Sequence, residues 1–134
     1  MNEKDTVSRN SKQRSMIMEI LKATKAHPNA ISIYTEARKF LPNISLGTVY
    51  RNLKLLEEQG SIRRLVLRSG IEHYDYDLSP HHHFVCNDCG RVYDVQTNGE
   101  VCVSQQGFEV ESCDVQFYGK CCDCCKETAS CALN

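Results

Sequence analysis

Two groups of cysteines constrain this chain more than anything else in it. Cys86 and Cys89 flank two residues and are followed by Gly90, while Cys121, Cys122, Cys124 and Cys125 crowd around Asp123. In such a knuckle both thiolates reach one ion and the glycine permits the tight turn. A second pair completes a closed four-thiolate tetrahedron of the structural zinc kind, with no vacant coordination position. Because 31 residues separate Cys89 from Cys121, the ion must tie two distant stretches together. In a segment of roughly 55 residues that link supplies much of the folding energy. All nine cysteines fall between Cys86 and Cys131, and the first 85 residues have none. A secreted disulfide scaffold usually spreads its cysteines through the chain, whereas clustered Cys-x-x-Cys pairs read first as metal ligands. A thiol redox pair or a disulfide is the alternative.

Charge divides the chain the same way. Residues 1–68 hold 13 Lys/Arg against 6 Asp/Glu, a balance of +7, and residues 69–134 hold 3 against 11, a balance of −8. A basic half suits a polyanion and an acidic half suits cations. No apolar run approaches the roughly 20 residues that cross a bilayer. Met1 leads into a polar, charged segment without a signal-peptide pattern, so a soluble cytoplasmic protein with no membrane partner is expected.

The basic half carries helical periodicity. Ser11 to Ala26 places Met16, Ile17, Ile20 and Leu21 on one face, and His27-Pro28 ends that helix, since a residue before proline avoids the helical region. Asn29 caps a second helix with Ala30, Ile33, Tyr34, Ala37 and Leu41 as its apolar stripe, closed by Leu41-Pro42-Asn43. Ser45 caps a third, with Leu46, Val49, Leu53 and Leu56 facing inward and Gly60 as its stop. Two β-type runs, Ile62 to Arg68 and Ile71 to Asp77, flank Ser69-Gly70 as a tight hairpin. Three helices and a hairpin make a winged helix-turn-helix. Ser45, Thr48, Tyr50, Arg51 and Asn52, with Lys54, give the third helix a small, hydrogen-bonding, cationic surface suited to a major groove.

The acidic half holds a second kind of site. In His81-His82-His83 a strand puts His81 and His83 on one face and His82 on the other. Asp75 precedes them, Asp94 follows the first knuckle, and His27 stands before Pro28. Three imidazoles and two carboxylates are a nitrogen–oxygen set suited to Fe(II), Mn(II) or Zn(II). His73, two residues from Asp75, competes for the same role.

In combination these stretches resemble the ferric uptake regulator family from about Ser11 to Cys125. The matching residues are Gln13-Arg14 opening the first helix, Ala26-His27-Pro28-Asn29-Ala30, and Ser45 to Leu53. To these add His81 to Gly90, and Tyr118-Gly119-Lys120-Cys121-Cys122-Asp123-Cys124. The resemblance implies that Cys86, Cys89, Cys121 and Cys124 bind the structural Zn(II), selecting 121/124 over 122/125. It implies a regulatory Fe(II) or Mn(II) site of His27, Asp75, His81, His83 and Asp94, with Asp75 preferred over His73, and DNA contacts by Tyr50 and Arg51. It further implies a homodimeric repressor of an AT-rich inverted repeat, and not an enzyme. The aspartate at 94 and the spacing from Asp75 to His83 look most like the peroxide-sensing branch. There the regulatory Fe(II) reacts with hydrogen peroxide, a ligand histidine is oxidised and the operator is released; here that chemistry would fall on His27 or His81.

The expected class is therefore α+β: a winged-helix DNA-binding domain over 1–78, then a small zinc-stapled, β-rich metal-binding and dimerisation domain over 79–134. That second domain is short for the family. Between Asp94 and Gly107-Phe108 there is no room for the usual amphipathic helix. Asn98-Gly99 reads instead as a hairpin turn pairing Val92 and Val95 with Val101 and Val103. Cys102, Cys113, Cys122, Cys125 and Cys131 have no role in this scheme. The competing readings are an iron- or zinc-uptake regulator of the same fold, a thiol-based redox regulator, and a metalloenzyme using the His/Asp site.

Overall fold

The structure, a computed structural model, describes residues 3–126, with side chains from residue 9 onward; Cys131 lies outside the described residues. The chain divides into two compact units, Met1–Leu78 and Ser79–Asn134. The first contains helices α1 (Glu3–Lys22), α2 (Ala30–Arg38) and α3 (Leu46–Glu58), followed by strands β1 (Arg63–Val66) and β2 (Glu72–Asp75). The second contains β3 (His82–Cys86), β4 (Val92–Val95), β5 (Gln116–Gly119) and the one-turn helix α4 (Cys122–Lys126). Together these elements make an α+β protein.

Local chemistry sets the helix starts. Asn29 lies in extended backbone and its side chain accepts the Ser32 N–H at 2.9 Å; Ser45 does the same for Thr48 at 3.1 Å. Each satisfies an amide that has no partner within its own helix. The three apolar stripes then meet. Ile17 and Leu21 of α1, Ala30, Ile33 and Ala37 of α2, and Val49, Leu53 and Leu56 of α3 share one core with Ile44, Ile62 and Tyr74. Met16, Ile20, Tyr34 and Leu41 pack against its edge.

Several boundaries differ from the periodicity. Helix α1 begins at Glu3 rather than at Ser11, and Gln13-Arg14 lies well inside it. It also stops at Lys22, four residues early, where the Ala26 N–H turns back to Thr24 Oγ1 at 3.0 Å. Such a local hydroxyl bond competes with helix continuation. The hairpin strands are shorter and their turn wider than two residues. Gly70 N–H donates to the Leu67 carbonyl at 2.8 Å and Leu67 N–H to that of Ile71 at 3.0 Å. Gly70 at φ +86° then supplies the left-handed residue that a three-residue hairpin loop requires.

In the second unit β3 is central, antiparallel to β4 and parallel to β5. The expected Val101–Val103 strand is absent: no strand lies between Val95 and Gln116, and Val101 and Val103 are exposed. The two-residue hairpin turns need φ > 0 at the first position or at both, and neither Asn98 nor Gly99 adopts it. The second partner of β3 comes instead from β5, in parallel.

Candidate metal centres and the exposed helix

The four-cysteine site stands where β3 and β5 end side by side, Cys86 pairing with Gly119. Beyond β3 the chain reverses through Gly90 at φ +74°, whose N–H returns to the Cys86 carbonyl at 2.9 Å. Beyond β5, Cys121 precedes α4, which carries Cys124. The Cys86 and Cys124 Sγ atoms are 3.7 Å apart, as are those of Cys89 and Cys121, and all four lie within 4.8 Å of one another. A tetrahedron with Zn–S bonds of about 2.3 Å has edges of about 3.8 Å, and a disulfide is roughly 2 Å long. The spacing is therefore that of zinc ligands, and all four are free thiols.

Backbone amides prepare these sulfurs for a cation. Cys89 N–H and Cys121 N–H both point at Cys86 Sγ from 3.4 Å, and Cys124 N–H points at Cys121 Sγ from 3.5 Å. The Cys86 thiol is held down to about 6 by those amides of Cys89 and Cys121. The Tyr93 hydroxyl lowers Cys121, while the neighbouring Cys121 sulfur pushes Cys124 up. Four sulfurs this close cannot all be anionic without a divalent cation among them. Of the remaining cysteines, Cys102, Cys113 and Cys122 are free and exposed, and Cys125 is disulfide-bonded.

Nitrogen–oxygen donors form two sets, one per unit. In the first unit, His27 Nε2 lies 3.2 Å from Asp75 Oδ2, both side chains buried. The other oxygen of Asp75 accepts the Asp77 N–H at 2.9 Å, which fixes the carboxylate. In the second unit, Asp94 Oδ1 lies 3.0 Å from His81 Nε2 and 3.5 Å from His83 Nε2. His81 and His83 are buried while Asp94 stays exposed. The register explains the meeting, because His83 pairs directly with Asp94 across β3 and β4.

The tautomer of His81 follows from its neighbour. Its Nδ1 is 2.7 Å from the Ser79 carbonyl, which only accepts, so Nδ1 carries the proton and Nε2 of the neutral ring presents a lone pair. In the neutral ring that lone pair faces a carboxylate oxygen at 3.0 Å, so a proton or a metal cation has to join the two. Ligand bonds of about 2.1 Å at angles of 90–110° give donor separations of about 3.0–3.4 Å, in line with these contacts. The residues fit a metal of the imidazole–carboxylate class.

His73 is not among these donors. Its Nδ1 lies 2.6 Å from the His27 carbonyl oxygen. The sequence reading missed this bond, and also the orienting contacts of Ser79 and Asp77. All three involve backbone groups, which carry no side-chain signal. His82 falls outside the donor set, as strand alternation requires.

On α3, Tyr50, Arg51 and Lys54 are exposed and Thr48 is half-buried. Ser45 is spent on capping, sharing a 2.9 Å bond with Thr48 Oγ1. Asn52 departs from expectation. It is 5 % exposed and its amide donates to the Thr48 carbonyl at 2.9 Å, so it belongs to the core side of α3 and does not offer its amide to a groove.

A winged helical unit whose third helix exposes Tyr50, Arg51 and Lys54, a four-cysteine zinc site and a His/Asp metal-binding set define a metal-regulated DNA-binding protein. Residues 5–118 match the ferric uptake regulator family, and the chain belongs to it. It is 33 % identical over 129 residues to the peroxide operon regulator of Bacillus subtilis, covering 92 % of this chain and 89 % of that one. It is 31 % identical to the peroxide-responsive repressor PerR of Staphylococcus epidermidis, covering 86 % and 80 %. Among solved structures, the Campylobacter jejuni peroxide stress regulator superposes with a TM-score of 0.69 at 28 % identity, over 91 % of this chain and 98 % of that one. The protein is a metal-dependent, DNA-binding transcriptional repressor with a structural zinc site and a His/Asp regulatory site. No described helix is long and apolar enough to cross a membrane.

Proposed function

We propose that this repressor senses hydrogen peroxide through one Fe(II) or Mn(II) ion that draws on both donor sets, His27 and Asp75 with His81, His83 and Asp94. Bound metal fixes the winged helices of a cytoplasmic homodimer at the spacing of two half-sites in an AT-rich inverted repeat. Residues 1–78 act as the DNA-binding domain and residues 79–134 as the metal-binding and dimerisation domain. Thr48, Tyr50 and Arg51 face the operator, with Ser45 holding the start of the helix. Iron supplies the reactivity toward peroxide. The chain supplies buried imidazoles, that of His81 oriented by the Ser79 carbonyl, and oxidation of His27 or His81 removes a ligand and releases the DNA. Support for the peroxide reading comes from the relatives named peroxide regulators. The observation that carries the metal reading is the convergence of two buried histidines on one Asp94 oxygen, at 3.0 and 3.5 Å.

The test is operator binding by the zinc-loaded protein, titrated with Mn(II) and with anaerobic Fe(II), then exposed to peroxide. Both metals are expected to switch binding on, and peroxide to abolish only the iron form while adding oxygen to His27 or His81. Control by one metal with no peroxide response identifies a metal-uptake regulator instead. A peroxide response that survives in a His27/His81 double variant transfers the sensing to thiols.

A further inference from the structure

We propose that His73 is a positioning residue for the regulatory metal: its Nδ1–H latches the His27 carbonyl and so sets the backbone that presents His27 to Asp75. The inference rests on the reading of His27 as a ligand.

His27 is the one non-glycine residue with positive φ among the described residues, at +51°. Histidine tolerates that region better than most side chains, but it is still sparsely populated, and residues before proline prefer extended backbone. Such a conformation persists where surroundings over-determine it. Here they come from three consecutive residues of β2. The His73 ring lies 2.6 Å from the His27 carbonyl oxygen, the Tyr74 N–H donates to the Pro28 carbonyl at 3.0 Å, and Asp75 meets the His27 ring at 3.2 Å. An antiparallel bridge between Asn29 and His73 closes the arrangement. His73 and Asp75 are two apart on a strand and so project from the same face. One grips the main chain of His27 and the other its imidazole.

Because a carbonyl only accepts, His73 Nδ1 carries the proton. Its value is as a donor at that position, not as a ligand. Without it the main chain at residue 27 loses a contact that opposes return to the commoner backbone regions, and that return swings the Cα–Cβ bond and the ring with it. Outer-shell partners of metal-binding histidines commonly change metal affinity 10–100-fold.

The experiment uses the full zinc-loaded chain and compares Mn(II) affinity, read by electron paramagnetic resonance of free Mn(II), in wild type, His73→Phe, His73→Asn and His27→Ala. His73→Phe is expected to bind Mn(II) about 10–100-fold more weakly with zinc content unchanged. His73→Asn is expected to recover most of the loss, because its amide restores a donor near the place of Nδ1. Ring ¹⁵N shifts of His73 in the manganese-free protein should report the Nδ1-protonated tautomer. Wild-type affinity in His73→Phe, an equal loss in His73→Asn, or the Nε2-protonated tautomer each overturns the latch. Wild-type affinity in His27→Ala sinks instead the assignment of His27 as a ligand, so the two failures are distinct.

Discussion

Zinc removal tests the energetics of the second unit most directly. Among the described residues its buried aliphatic side chains are Val85 and Val92 alone; the rest of its buried positions are His81, His83, Cys86 and Cys121. Two fully buried valines contribute about 3–6 kcal/mol, whereas a structural zinc contributes about 10–16 kcal/mol at neutral pH. Whole domains are stable by only about 5–15 kcal/mol, so the zinc term decides whether residues 79–126 fold. The first unit is different, since its shared core includes Ile17, Leu21, Ile33, Val49, Leu53, Leu56 and Ile62. Chelation under reducing conditions should therefore abolish amide protection across 79–126 in hydrogen exchange while α2 and α3 keep theirs. Cys86→Ser should reproduce that pattern, and Cys122→Ser, an exposed free thiol outside the set, should not. Persistent protection of β3 and β5 in protein shown by elemental analysis to be zinc-free would falsify the reasoning.

Three further outcomes follow from particular side chains. His83→Ala and the milder Asp94→Asn should keep their zinc yet lose metal-dependent operator binding in a mobility-shift titration; retained metal dependence in both would remove them from the regulatory set. Arg51→Ala should weaken operator binding by about 1–3 kcal/mol with unchanged thermal unfolding, and an unaltered affinity would mean that this face of α3 does not meet DNA. Burial pushes the Tyr74 hydroxyl up to about 12, while the unfolded chain titrates near 10, so the folded state holds this proton more tightly. That contribution is complete below about pH 10 and is lost as pH rises toward about 12. Tyr74→Phe should flatten the fall in stability across that window, and an unchanged slope would show that Tyr74 is not its source.

What the sequence could and could not reveal follows from how far each interaction reaches along the chain. The Asn29 and Ser45 caps bond residues three positions away, so their signal lies in a window of four letters. The apolar stripes of the first three helices are equally local, and the Cys-x-x-Cys spacing is itself the chelate geometry. Asn98-Gly99 shows the limit: the dipeptide favours a turn, but that turn needs a backbone conformation which the chain does not adopt. Asn52 shows another, because polarity suggested solvent while packing of α3 turned its face inward. The length of α1 was hidden because its first turns carry charged residues with little apolar period.

By itself, then, the sequence determined the ligand chemistry, the starts of α2 and α3, and the periodic faces that build the first core. Residue types fix which atoms can bind a metal, and local spacing fixes which lie on one face. Tertiary structure alone decided that β5 rather than a hairpin partner completes the second sheet, that Asn52 is buried, and that His73 grips the main chain of His27 from 46 residues away. Those outcomes depend on which edges and carbonyls distant segments leave open, and backbone groups are identical at every position of the sequence.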